Sequence, residues 1–189
     1  MKSLKEVTSE YAEAKVYNFR NKNYRLLLWL LIGVLLVIII KGANAPRLKN
    51  EIDCHSVRFL ISMALVLISV KPVSFIHEKL HLFAIEAAGA EGYIDMKRAN
   101  PCCGSDWYFE RNTYIVVSLC PFIAIAGTIA IITVFLPETL WIFGFCQLAF
   151  HGMGCCSDLL NVIILLRQDK DVLVRDEGTV LHIYKRITK

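Results

Sequence analysis

His77-Glu78-Lys79-Leu80-His81 lies within an otherwise apolar stretch that runs from Phe59 toward Ala88. On a helix, residues four apart share a face, with Cβ atoms about 5–6 Å apart. Two imidazoles placed that way can bind one Zn²⁺ at ~2.0–2.1 Å each, and the Glu beside the first can act on the water of the metal. A shuffled chain of this composition would show the pattern roughly 0.007 times. Ionisable side chains are also rare in membrane spans and are usually functional there.

The surroundings are those of a membrane protein. The 189 residues are 56% hydrophobic and only 20% charged, with a mean hydropathy of +0.49. The net charge of +4 comes from Lys and Arg flanking the apolar runs. No basic stripe interleaved with aromatics points to nucleic acid. The seven cysteines include two adjacent pairs, Cys102-Cys103 and Cys155-Cys156, and no C-x-x-C spacing. That excludes a zinc ribbon and favours buried thiols over a disulfide framework.

Four spans are predicted. The first is Leu26–Ile40, read as an uncleaved anchor because the charged leader before it and Pro46 after Ala43-Asn44-Ala45 do not suit a signal peptide. The second begins near Val57 and carries the pentad, with a kink or break expected at Lys71-Pro72. The third is Ile115–Leu136 and the fourth Leu140–Leu166, joined by a hairpin. Fifteen Lys and Arg fall in the leader, the loop between spans two and three, and the tail, against four on the opposite side. Both termini are therefore expected in the cytoplasm, with the chain multi-pass in the cell membrane. The fold class that follows is all-α, a polytopic helical bundle of about four spans. Residues 1–23 form a leader, 24–167 the membrane domain and 168–189 a cytoplasmic tail. In that tail Val172–Asp176 and Val180–Tyr184 around Glu177-Gly178 read as a hairpin. The loop from Gly89 to Asn112 is expected to be irregular, although Tyr93–Lys97 alternates weakly, enough to offer an edge strand to an extended substrate.

This topology constrains the third zinc ligand. Spans two and four run in the same direction. His77 and Asp158 then sit ~30 and ~27 Å from the starts of their spans, level with each other. Asp158, an acid in an apolar span, is the first candidate, and Glu110 the second. His151, two turns before Asp158 and ~10 Å from it, suits a cavity wall or an oxyanion contact better than the same ion. Cys155 and Asn161 share the face of Asp158 and are candidates for contacts around the ligands.

The segments Ile76–Phe83, Asn100-Pro101-Cys102-Cys103, Ser118-Leu119-Cys120-Pro121 and Gly154–Leu160 occur in an order that resembles the zincin peptidase family of small bacterial membrane proteins, relatives or analogues of the site-2 proteases. The resemblance spans roughly residues 60–170. It implies His77, His81 and Asp158 as zinc ligands and Glu78 as the catalytic residue of a site-2-protease-like metalloendopeptidase. The chain departs from the site-2 proteases in having no N-P-x-x-x-x-x-D-G motif around Asp158. The expected activity is hydrolysis of peptide bonds in membrane or juxtamembrane substrates, with Zn²⁺ as cofactor and Glu78 as general base. The expected partners are the lipid bilayer and a membrane-protein or peptide substrate, with no nucleic acid. The alternative is a metal-binding membrane protein without catalysis, a transporter or a sensor.

Overall fold

The protein is represented by a computed structural model, which describes residues 3–4, 10–19, 21, 30, 33, 56–96, 101–135 and 141–187. The predicted first span, Leu26–Ile40, lies almost wholly outside the described residues. The described elements are β1 (Ser3–Leu4), β2 (Tyr11–Asn18), α1 (Ser56–Ala87), β3 (Tyr93–Asp95), β4 (Cys102–Glu110), α2 (Arg111–Phe135), α3 (Trp141–Gly154), α4 (Cys156–Leu166), β5 (Leu173–Asp176) and β6 (Val180–Arg186).

Two helices are long and apolar enough to cross a membrane, α1 from Leu60 to Ala87 and α2 over its whole length. The bent pair α3–α4 makes a third crossing if it is taken as one span. Their outer faces carry Ile68, Phe83, Ile123, Ile132 and Phe135, all more than half exposed. Continuous apolar exposure of that kind is costly in water and natural against lipid. Inward, Val66 of α1 packs on Ile142 and Cys146 of α3, and Ser69 Oγ donates to Gln147 Oε1 at 2.8 Å. A Cβ on Gly144 would fall 2.1 Å from Thr133 Oγ1, so only glycine lets α2 and α3 approach this closely.

Three expectations are corrected. The chain is not all-α. A five-strand antiparallel sheet, ordered β1–β4–β5–β6–β2, caps the helices, with β3 added to β4. The segment expected as an irregular loop supplies two of these strands, because Cys103, Ser105 and Phe109 bury side chains against the helix ends. Helix α1 also runs through Pro72 without a break. Pro72 is exposed, and the turns on either side hold the helix across the one missing N–H. The interruption falls instead in the predicted fourth span, where α3 and α4 meet at Cys155 with a bend of 49°. Gly152 and Gly154 precede that point and weaken the helix there.

Phe109, Leu165, Val174, Leu181 and Ile183 are fully buried in one cluster with Ala84, Ile85, Tyr114, Val117 and Leu160. One hydrophobic core therefore joins the sheet to the helices. The tail forms the expected hairpin, with Leu173 opposite Tyr184 and Asp176 opposite Leu181, and Gly178 supplies the positive φ of +80° in its turn. Strand β2 from the leader pairs with β6, Tyr11 opposite Arg186 and Asn18 opposite Val180. Leader, tail and β4 thus lie on one side of the helices. Arg111, at the start of α2, is buried and donates from Nη1 to the Gln168 carbonyl at 2.8 Å, tying α2 to the end of α4.

Asp176 fastens the hairpin to α2. Its carboxylate accepts from the Tyr114 hydroxyl and from the Gly178 amide at 2.7 Å. Burial outweighs these two donors and pushes the Asp176 carboxyl up to about 6. The folded chain therefore holds this proton more tightly than the unfolded chain. The resulting stability is present below about pH 4 and is lost as the pH rises through 6. A shift of about two units corresponds to roughly 3 kcal/mol. Asp176→Asn is expected to flatten the decline in melting temperature between about pH 4 and 7 in detergent micelles, and an unchanged slope would count against this assignment.

Candidate metal centre

Glu78, Lys79 and Leu80 separate the two imidazoles of α1 by one helical turn, so both rings leave the same face. Their Nε2 atoms lie 3.1 Å apart. The bend at Cys155 turns α4 so that Asp158 meets them, with Oδ2 at 3.2 Å from His77 Nε2 and Oδ1 at 3.4 Å from His81 Nε2. Asp158 is buried, yet its Oδ2 receives no hydrogen bond among the described residues. Three lone-pair donors thus face one another at close range. Zinc with metal–ligand distances of ~2.0–2.1 Å at tetrahedral angles would separate its ligand atoms by ~3.3–3.4 Å. The observed separations, one to each oxygen of Asp158 and one between the imidazoles, are close to that value, so the residues present fit a zinc ion.

Helix α2 sets the orientation of His81. Pro121 has no N–H to give to the carbonyl four residues earlier, that of Val117. His81 Nδ1 lies 3.0 Å from that oxygen. A carbonyl only accepts, so His81 must carry its proton on Nδ1, and Nε2 keeps the lone pair that a metal needs. The proline early in the third span therefore acts at a distance, by freeing the acceptor that fixes the ring.

Glu78 is half-buried, and its Oε2 accepts from the Cys103 amide at 2.6 Å. Strand β4 thereby reaches the pentad. A cavity of about 410 Å³ lies here, lined on the helical side by His77, Glu78, His81, His151, Asp158 and Asn161, and on the sheet side by Cys102, Cys103, Asp176 and Gly178.

The remaining sequence candidates divide clearly. His151 and Cys155 line a second side of His77. Cys155 Sγ lies 3.4 Å from His151 Nε2 and 3.8 Å from His77 Nδ1. Asn161 is buried with Oδ1 unpartnered among the described residues. Glu110 is not brought to the site. It is exposed at the end of β4, opposite Leu173. Sequence reasoning did not name Tyr114, and it named Cys103, Asp176 and Gly178 without placing them at the site. Only the tail hairpin signal bore on Asp176 and Gly178, and nothing in it placed them against the pentad. Cys103, Cys120, Cys146, Cys155 and Cys156 are not in disulfides.

Pro121→Ala restores an N–H that competes with His81 for the Val117 carbonyl. It is expected to weaken zinc binding about tenfold, the usual scale for losing an orienting partner. Pro72→Ala, which alters the other helix proline, should leave affinity unchanged. Calorimetric zinc titration of the two variants in detergent checks both, and equal affinities would refute the role of the freed carbonyl.

Searches of curated proteins and of solved structures give no match. A family model described as "Putative zincin peptidase" matches residues 70–173, which is more than half of the chain and holds the pentad, Pro121, the Cys155 bend and Asp158. By that match, and by a donor set suited to zinc within it, the chain belongs to the zincin peptidase family so described.

Proposed function

We propose that the chain is a membrane-embedded zinc metalloendopeptidase of site-2-protease-like type, cleaving peptide bonds in membrane or juxtamembrane segments. One observation carries the proposal. The Nε2 atoms of His77 and His81 and the carboxylate of Asp158 converge within 3.1 to 3.4 Å, with Glu78 next in sequence to the first of them. Zinc held by these three would polarise the scissile carbonyl and acidify the attacking water.

The chain's own residues do the rest. Glu78 takes the proton of the attacking water and returns it to the leaving amine. The Cys103 amide holds one carboxylate oxygen, and the other oxygen carries the proton. His151, on the far side of His77 with ring centroids 5.8 Å apart, lines the wall against which the substrate carbonyl lies. A helical substrate hides its carbonyls in its own hydrogen bonds, and lipid makes those costly to break. Cleavage therefore belongs at the junction of helices and sheet, where an extended peptide can add to the outer edge of β3. The cytoplasmic side is assigned to that junction by the Lys and Arg bias of the leader, loop and tail. The presence of leader and tail strands in one sheet supports only that the two lie on the same side.

Glu78→Gln is expected to keep zinc at the wild-type stoichiometry while cleavage falls by about 10²-fold or more. Asp158→Ala and His77→Ala should lose the ion itself. Metal analysis beside a proteolysis assay on a membrane-anchored reporter separates these outcomes. Cleavage that survives Glu78→Gln would defeat the proposal and leave a non-catalytic metal-binding protein.

A further inference from the structure

The ligand triad uses one nitrogen of His77. Its Nε2 faces His81 and Asp158, while its Nδ1 faces Cys155. The ligand atoms of His77, His151 and Cys155 all lie within 4.8 Å of one another. Bond lengths of ~2.3 Å to sulfur and ~2.0–2.1 Å to nitrogen at tetrahedral angles give a sulfur–nitrogen edge of ~3.6 Å. The two observed edges, 3.4 and 3.8 Å, bracket it. A buried thiol acting as a simple hydrogen-bond donor needs one acceptor, yet Cys155 has an imidazole on each of two sides.

We propose that the cavity contains a second metal position, His77–His151–Cys155, which takes a thiophilic divalent cation such as Zn²⁺, Co²⁺ or Cd²⁺ and competes with the first position for His77. Thiolate and imidazole select these ions and reject Mg²⁺ and Ca²⁺. Entry of the cation displaces the Cys155 S–H proton to solvent. The cation occupies the lone pair of His77 Nδ1. A neutral imidazole has only one such pair, so the ring proton moves to Nε2, and His77 is withdrawn from His81 and Asp158. Excess thiophilic metal therefore opposes loading of the first position. This second position stands whether or not peptide cleavage occurs at the first.

The test is a Co²⁺ titration of the metal-free full chain in detergent micelles, followed by absorption and metal analysis. Wild type and Asp158→Ala are expected to develop near-ultraviolet thiolate-to-cobalt charge-transfer absorption, with Asp158→Ala binding at least as tightly. Cys155→Ser should lose that absorption while still taking up one equivalent of cobalt through the first position. His151→Ala should weaken it at least tenfold. The proposal is overturned if saturated wild type shows no such absorption, or if the absorption survives Cys155→Ser. It is also overturned if Cys155→Ser takes up no cobalt, or if Asp158→Ala weakens the absorption tenfold or more, since the two positions then act as one.

Discussion

Lone pairs on two imidazole nitrogens and a carboxylate repel one another when they are held within hydrogen-bonding distance in a poorly solvated cavity, unless something positive lies between them. His77, His81 and Asp158 are held in that way, and much of the chain's architecture serves to hold them. The pentad supplies two donors from a continuous α1. The bend at Cys155 delivers the third from α4. The energy that this convergence costs without a cation is recovered when one binds. The constraint accounts for polar groups that membrane helices otherwise avoid.

Orientation comes from groups outside the triad. A free imidazole can place its proton on either nitrogen, and only one choice leaves a ligand. Pro121 resolves the choice for His81 by leaving the Val117 carbonyl without its helical partner. The Cys103 amide plays a comparable part for Glu78. One support comes from a helix and the other from a strand, so the site lies where the two layers meet. Asp176 and Tyr114 stitch the same layers together a short way off.

How much of this was legible in the sequence follows from the range of each interaction. The pentad is local, and a spacing of four residues is sufficient to read it. The pairing of His77 with Asp158 was reachable because two antiparallel reversals in a bilayer fix depth, even without coordinates. The hairpin of the tail was legible from Glu177-Gly178 between alternating runs, with Gly178 supplying the positive φ. The sheet that incorporates it was not. Strand β2 reads as a charged leader, because its outward faces are polar and its partner β6 lies more than 160 residues away. Strand β4, with its glycine, its cysteines and Asp106, resembles a polar loop until the helix ends that bury Cys103 and Phe109 are in place. The break in the last span was misplaced for a related reason. Pro72 is the stronger local signal, but the turns on either side of a proline can carry a helix across one missing N–H, and the bend falls instead just after Gly152 and Gly154.

The pairing of β2 with β6 also bears on biogenesis. A nascent chain emerges leader first, and that strand waits without its hydrogen-bonding partner until Val180–Arg186 have been made. The wall formed by Asp176 and Gly178 closes at the same moment. The pocket around Glu78 is thus incomplete during synthesis and insertion, and a truncated translation product would lack one side of it.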